Sequence, residues 1–347
     1  MVNLFKLLRD RDFRAIAIVG MTKNVGKTVT FNYLVTEFER AGHTLGLVSA
    51  GYDGERFDRL TLKDKPRIYA PQGAYAATAR ACFDAAEAEL EMIEESSLST
   101  PLGPVCLAFV KKSGLIELAG PGSVSGLRLL LNKMFALGAE YGLVDGAINR
   151  IASASPQVTE GTVLATGASL GPTMDDVIRK TVYRRNLMET PPVGEELLLK
   201  SAHEGLSRGS AAVLNRAVNK YLVDPVDAAI PLLAGKLAVD RCREESAALV
   251  FGGALVDSII NDVMALGLVP PAVIVEDATR IFLTQDIYNR YINQGGKLMV
   301  LNKLNLVAVT LNPTDPDGRD YDPKMFLDQM TEALSPCPVF DLIYEAD

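Results

Sequence analysis

Histidine is almost missing from this 347-residue chain, which has only His43 and His203. Two isolated imidazoles make a histidine-rich metal centre or a Ser-His-Asp hydrolytic machinery hard to build. Cysteine is also sparse. Cys82, Cys106, Cys242 and Cys337 are widely scattered with no C-x-x-C pair, which predicts reduced, buried thiols. Long apolar runs are lacking: segments such as Pro271-Ala-Val-Ile-Val275 are far too short to span a bilayer. The first residues, Met1-Val-Asn-Leu-Phe-Lys-Leu-Leu-Arg9, turn charged early and do not read as a signal peptide. A cytoplasmic protein without a membrane partner is expected. An excess of basic residues is lacking too. The formal net charge is −8, and pairs such as Lys111-Lys112 are too small to reverse it, so a nucleic-acid partner is not expected.

What remains is a globular composition, 48% hydrophobic and 22% charged, long enough for one large α/β domain or two smaller ones. Apolar runs with strand character alternate with helical patterns. Ala15–Val19, Leu45–Ser49, Leu143–Ala147 and Thr162–Ala168 read as strands, followed later by Ala247–Phe251, Ala272–Val275, Leu306–Leu311 and Val339–Leu342. This alternation predicts a doubly wound, mostly parallel sheet with helices on both faces. Ala76–Glu95, rich in alanine and glutamate, reads as a helix. Val105–Val110 and Leu115–Leu118 read as paired strands, and Ser123–Tyr141 as a further helix. Pro191-Pro192 marks a break. The expected division is a nucleotide-binding domain over 1–190, a helical connector over 191–227, and an α/β region over 228–347 that continues the same sheet or stands apart.

The most specific feature is Gly20-Met-Thr22-Lys23-Asn24-Val25-Gly26-Lys27-Thr28, set between the first strand and the helical pattern Phe31–Arg40. Strand, glycine turn and helix form the context of a phosphate-binding loop, whose backbone N–H groups and helix N-terminus attract phosphate. Lys27 would place a charge on the terminal phosphates, and the Thr28 hydroxyl would ligate Mg²⁺. The glycine sits one place early: five residues, not four, separate Gly20 from Gly26. Gly120-Pro-Gly-Ser-Val-Ser-Gly126 offers a second glycine-rich helix start, for which Ser123 as an ordinary N-cap is the favoured reading. At the end of Phe31–Arg40, Gly42 reads as a C-cap that leaves His43 at the surface.

A triphosphate site needs carboxylates for magnesium at the carboxyl ends of strands. Three groups qualify: Asp53 with Glu55, Asp145, and Glu276-Asp277. Strand hydrophobicity alone favours Glu276-Asp277. For the base, Leu301-Asn-Lys-Leu-Asn305 echoes the N-K-x-D signature of GTPases, but an amide stands where the carboxylate should be. ATP is therefore expected, with Asn312-Pro313 placed to touch the base.

The loop G-x-x-x-x-V-G-K-T resembles that of dethiobiotin synthetase and its relatives among the cobyrinate amidases and MinD-like proteins. In those enzymes an acid-Gly-Ala turn binds magnesium. Val144-Asp145-Gly-Ala147 matches it, so the resemblance favours Asp145, with Thr28 and Asp53 completing the shell. Val163-Leu-Ala-Thr-Gly-Ala-Ser-Leu-Gly171 also resembles the turn those enzymes use at the substrate edge. Over more of the chain, Ser49-Ala-Gly-Tyr-Asp-Gly-Glu55, Asp58, Lys65-Pro66, Val144–Arg150, Thr310-Leu-Asn-Pro313 and Phe340-Asp341 resemble the P-loop subunit of the lysine 5,6-aminomutase reactivase. That resemblance implies an ATP- and Mg²⁺-dependent accessory factor that acts with a MutS-like ATPase on an adenosylcobalamin-dependent aminomutase. Lys27 and Asp145 would carry its slow hydrolysis, with the 51–65 loop as the switch. Two other readings stay open: an ATP-dependent carboxylate ligase of the dethiobiotin synthetase type, and a fold that binds nucleotide without turnover.

Overall fold

The computed structural model describes residues 3–51, 67–146, 153–267 and 271–343. The chain opens with α1 (Leu4–Arg9), β1 (Ala15–Gly20), α2 (Lys27–Arg40), β2 (Leu45–Ala50), β3 (Ile68–Ala70) and β4 (Tyr75–Ala79). Next come α3 (Arg80–Asp84), β5 (Glu89–Thr100), β6 (Gly103–Lys112), β7 (Gly114–Ile116), α4 (Val124–Ala136), β8 (Tyr141–Gly146), β9 (Gly161–Gly167) and α5 (Met174–Met188). The middle of the chain holds α6 (Glu196–Arg208), β10 (Ala211–Ala217), β11 (Lys220–Val226), α7 (Pro231–Asp240), β12 (Ser246–Phe251), β13 (Leu255–Val256) and α8 (Asp257–Ala265). It closes with β14 (Ala272–Asp277), β15 (Ile281–Phe282), α9 (Gln285–Asn293), β16 (Leu298–Asn302), β17 (Leu306–Asn312), α10 (Pro323–Leu334) and β18 (Val339–Phe340).

These elements form two compact units, one of Met1–Arg185 with Asn305–Asp347 and one of Asn186–Leu304. The first is built on a nine-stranded sheet in the order β18-β17-β9-β1-β8-β2-β4-β6-β5. Pairing is parallel from β18 through to β4 and antiparallel at β4–β6 and β5–β6. The protein is therefore mixed α/β with a large, mostly parallel sheet. β1, β2 and β9 are buried along their full length, as parallel strands covered on both faces must be. Successive residues feed different cores: Leu47 and Leu143 pack with Phe31, Leu34, Val35 and Phe38 of α2. Their neighbours Val48 and Val144 pack with Leu127, Leu130, Leu131 and Met134 of α4. The i, i+3, i+4, i+7 spacing on α2 is what makes one face of that helix apolar, and each such buried side chain stabilises by about 1.5–3 kcal/mol. α2 ends as its sequence indicates. Gly42 has φ +82°, with Gly42 N–H donating to the Glu39 carbonyl at 2.9 Å and His43 N–H to Phe38 at 3.0 Å, a Schellman closure.

The second unit carries a five-stranded sheet, β11-β10-β12-β14-β16. β12, β14 and β16 are parallel, while β10 runs against both its neighbours. Its core gathers Leu198 and Ala202 of α6 with Leu214, Val250, Ile274 and Leu301.

The structure revises several expectations. Residues 191–227 are no helical connector: they hold α6 and the hairpin β10–β11, inside the second unit. Nor does 228–347 form one region, since Asn305–Asp347 belongs to the first unit and places β17 beside β9. Within Ala76–Glu95, only Arg80–Asp84 is helical. The alanines from Tyr75 enter β4, and Glu89 opens a long strand. Val105–Val110 lies in β6, which pairs with β4 and β5, whereas β7 pairs with β3. All four cysteines are free and buried, as expected.

Candidate functional site

The 20–28 loop leaves β1 at the carboxyl edge of the first unit's sheet, with Met21 N–H still bonded to the Ala165 carbonyl of β9 at 2.9 Å. It turns back through two left-handed residues, Asn24 (φ +61°) and Gly26 (φ +82°). These are residue types that adopt this conformation most readily. The early glycine has a steric reason. A Cβ on Gly20 would stand 3.1 Å from Val25 Cγ2 and 3.4 Å from Lys27 Cβ, so the loop folds down over the place a side chain would take. Val25 is buried beneath it. Gly26 is the N-cap of α2, gives no side-chain cap, and no acidic residue occupies the first turn. The first turn of this three-turn-plus helix thus has neither a side-chain cap nor an acid of its own, a setting that favours an incoming anion.

Lys27 opens α2 and Asp145 stands on β8, paired in register with Ile18 of β1. Their side chains meet at 2.9 Å, Lys27 Nζ to Asp145 Oδ1, and both are largely shielded, at 20% and 16% exposure. Asp145 Oδ1 is closed off from solvent and, beyond this ion pair, meets no hydrogen-bond donor among the described residues. The strand below is fixed by Ser49 on β2, whose hydroxyl donates to the Asp145 carbonyl at 3.2 Å. Gly146 follows because a Cβ there would lie 2.2 Å from Ser153 Oγ and 2.8 Å from Val19 Cγ1. Lys27 and Asp145, named from the sequence as phosphate and magnesium ligands, are brought together here. Ser49 was quoted only within the Ser49–Glu55 segment and was given no role; its contact with Asp145 joins neighbouring strands and has no local sequence signal.

Asn312 closes the other side of the loop. Its Nδ2 donates to the Asn24 carbonyl at 2.7 Å, and its Oδ1 accepts from the Thr314 hydroxyl at 2.9 Å. A Cβ on Gly26 would stand 3.1 Å from Asn312 Cβ. Thr310 shares a 2.8 Å hydroxyl contact with Thr30 of α2, a second tie between β17 and the loop-and-helix segment. Pro313 follows Asn312, and its carbonyl accepts from Tyr321 N–H at 2.9 Å. Sequence reasoning missed Asp315, a buried acid. Its Oδ1 accepts from the Ser169 hydroxyl at 3.1 Å, which joins the turn after β17 to the turn after β9. Burial acts to raise the Asp315 carboxyl. The Asp317 amide, the Ser169 hydroxyl and Arg319 outweigh it and hold the group below its ordinary value.

Other candidates separate from this constellation. Asp53, with Glu55, lies outside the described residues, as does most of the 51–65 segment. Glu276 and Asp277 belong to the second unit. There Glu276 pairs with Arg280 at 2.9 Å, while Asp277 accepts from Thr279 N–H at 2.8 Å and caps a short 3₁₀ turn. The next α-helix, α9, begins at Gln285. Asn305 sits at the amino edge of the first sheet, where Nδ2 donates to the Glu160 carbonyl at 2.9 Å. It is separated from Asn312 by the length of β17, roughly 20 Å. Its amide therefore carries no information about base choice, and that argument for ATP falls away. The Gly120–Gly126 run is an ordinary helix start: Ser123 Oγ accepts from Gly126 N–H at 3.1 Å. Gly120 is a glycine because a Cβ would lie 1.8 Å from the Ser49 carbonyl oxygen. Among the described residues no group of three or more His, Cys, Asp or Glu side chains could hold a metal, and no helix is long and apolar enough to cross a membrane.

No family model matches the chain, and neither curated proteins nor solved structures give a match.

Proposed function

We propose that the first unit is of the P-loop NTPase type and binds a Mg²⁺-bound nucleoside triphosphate through the 20–28 loop. The observation that carries this reading is the shielded Lys27–Asp145 pair beside an uncapped helix N-terminus. Each member has a natural alternative partner. The lysine ammonium suits the terminal phosphate oxygens, and the carboxylate suits a hard divalent cation. Magnesium is commonly held by one or two carboxylates, a hydroxyl and the phosphates themselves, so a preformed cage of acids is not required. Thr28 and Asp145 supply that donor set, and Asp53 is the further acid the sequence offers. The bound metal would neutralise charge on the transferring phosphoryl group, while Lys27 and the loop amides orient and stabilise it.

In the cell the protein is proposed to act in the cytoplasm as a nucleotide-switched accessory factor. It would serve an adenosylcobalamin-dependent aminomutase together with a MutS-like ATPase, with slow hydrolysis when alone. The segments quoted for the reactivase resemblance support that role. ATP is the nucleotide that resemblance implies, but triphosphate binding does not depend on the base.

The test is titration of purified protein with fluorescent triphosphate analogues in the presence of Mg²⁺. Wild type should bind, and Lys27→Ala should weaken binding about 100-fold or more, the scale of losing charge-assisted bonds to phosphate. Equal affinity in wild type and mutant would remove the phosphate-loop reading.

A further inference from the structure

We propose that the second unit holds a binding site for a single free apolar α-amino acid of about the size of leucine, seated against the outer edge of β16. The site lies wholly within that unit and does not depend on the 20–28 loop. β16 is the last strand of the five-stranded sheet, with β14 on its inner side. Val273 N–H donates to the Lys297 carbonyl at 2.7 Å across that inner side. Lys297, Met299 and Leu301 therefore turn their backbone groups inward, and Leu298 and Val300 turn theirs outward. Val300 is served there by the segment after α5: its N–H donates to the Pro191 carbonyl at 3.0 Å, and its carbonyl accepts from Val193 N–H at 2.9 Å. The same parallel register carried two residues back would give the Leu298 carbonyl the N–H of residue 191. That residue is proline and has none. The Leu298 N–H would need the Glu189 carbonyl, but there the chain is still closing the end of α5, with Thr190 N–H bonded to the Leu187 carbonyl at 3.2 Å. Among the described residues no partner reaches either Leu298 group across this edge, although the residue is only 5% exposed.

A cavity of about 290 Å³ stands at that place. Leu298 and Met299 both line it, yet consecutive side chains of a strand point to opposite faces. The cavity therefore sits at the strand's edge, where the two Leu298 backbone groups look out. Tyr288 and Ile292, one turn apart on α9, give it an apolar wall together with Pro191. Lys297 also lines it and is exposed, which brings a flexible ammonium to the rim. A buried donor and acceptor side by side call for a ligand that carries both. In an antiparallel ladder a bonded residue exchanges two N–H···O bonds with the residue opposite. A free α-amino acid reproduces that exchange by itself. Its ammonium donates to the Leu298 carbonyl, its carboxylate accepts from the Leu298 N–H and from Lys297, and its side chain fills the apolar part. The free edge is one residue long. Val300 is already paired, and Gly295 and Gly296 fold the chain back onto α9, their N–H groups bonded to the Ile292 and Tyr291 carbonyls at 2.9 and 3.0 Å. An extended peptide finds no ladder to join there. At the ≈30 Å³ share of a liquid water, the space takes about ten non-hydrogen atoms, which fits leucine, isoleucine or methionine.

The test is isothermal titration calorimetry of the full chain with leucine, 4-methylpentanoate, N-acetylleucine and lysine, together with hydrogen exchange at the Leu298 amide. Leucine should bind and slow that exchange. 4-Methylpentanoate lacks the ammonium and should bind about tenfold more weakly or worse, the scale of one hydrogen bond to a charged group. N-acetylleucine, which imitates the end of a chain, should be weakened at least as much. Lysine would carry a charge into the apolar part and should not bind. Ile292→Trp fills the cavity and should abolish leucine binding. Lys297→Met removes the rim charge from an exposed side chain and should weaken leucine about tenfold; it remains informative if Ile292→Trp fails to fold. Equal binding of leucine and 4-methylpentanoate would make this a site for apolar acids and overturn the assignment. Equal binding of N-acetylleucine would make the occupant a chain terminus and overturn it likewise. Leucine affinity unchanged in folded Ile292→Trp or in Lys297→Met would place the ligand elsewhere. Folded wild type that binds no apolar amino acid would overturn the proposal and leave the triphosphate reading untouched.

Discussion

Two parallel strands of this protein end in an acid, and the ends are used differently. β8 in the first unit finishes at Asp145-Gly146, and β14 in the second at Glu276-Asp277. At β14 the acids are absorbed by local structure: Glu276 by the i,i+4 pair with Arg280, Asp277 by Thr279. At β8 the acid reaches across to the neighbouring strand's loop and finds a lysine at the mouth of an uncapped helix. Both strand ends have an apolar lead-in, and hydrophobicity alone favours β14. What separates them is the identity of the neighbouring element: β8 lies next to β1 and its glycine turn, whereas β14 lies between β12 and β16. A carboxylate at a strand end becomes a ligand candidate through what the adjacent strand carries.

Removing the structural acid should have the largest effect on folding. Asp277→Ala strips the cap from Thr279 N–H in a position only 1% exposed. It should cost the second unit about 1–3 kcal/mol, the penalty for leaving a buried donor unmade. Denaturant melts should show this loss while triphosphate titration stays at the wild-type level. Weakened nucleotide binding in a folded Asp277→Ala protein would break the contrast between the two strand ends.

A smaller effect should appear with pH. Three carboxylates of the first unit are held low. Asp176 is lowered chiefly by Lys180, and Glu140 chiefly by the His43 hydrogen bond. Asp315 is lowered by its donors against the opposing effect of burial. Such groups stabilise the fold above their ordinary values of 3.8 for Asp and 4.5 for Glu, and the contribution is lost as pH falls through the folded-state values. The shifts resolved in the second unit are upward. Tyr221, Tyr288 and Tyr291 are raised by burial, and so is Cys242, to about 11. Groups of this kind stabilise below their ordinary values, 9.0 for Cys and 10.0 for Tyr, and that contribution is lost as pH rises toward the folded ones. Hydrogen exchange read by mass spectrometry should show the first unit loosening before the second below about pH 4. Acid loosening that begins in the second unit would contradict this.

How much of this was legible in the sequence follows from the range of the interactions. The parallel strands β1, β2, β8, β9, β12, β14 and β17 read directly as short apolar runs, because both faces are covered. The strand–turn–helix unit around the 20–28 loop was legible because its three parts are consecutive. β5 was not: its Glu89–Thr100 sequence is rich in glutamate and serine, and its side chains alternate between half-covered and exposed. Composition suggested a helix where the period is two. β11 carries Pro225 and sits at a sheet edge, a place where proline is tolerated but strand patterning is weak. The division into units was hidden for a topological reason. The partner of β17 is β9, and the whole of Asn186–Leu304 lies between them in sequence. Asp315 escaped notice for a related reason, since its bond to Ser169 joins turns far apart in the sequence.

The most direct test of the central claim compares magnesium dependence at the two strand ends. Triphosphate affinity is measured with and without Mg²⁺ for wild type, Asp145→Asn and Glu276→Gln. The account predicts that Asp145→Asn loses about tenfold in the Mg²⁺-dependent part of the affinity, since removing one anionic oxygen weakens a hard cation's site. Binding without Mg²⁺ should change much less, and Glu276→Gln should track wild type in both conditions. A magnesium-specific defect in Glu276→Gln, with Asp145→Asn behaving as wild type, would place the metal at the other strand end and contradict the account.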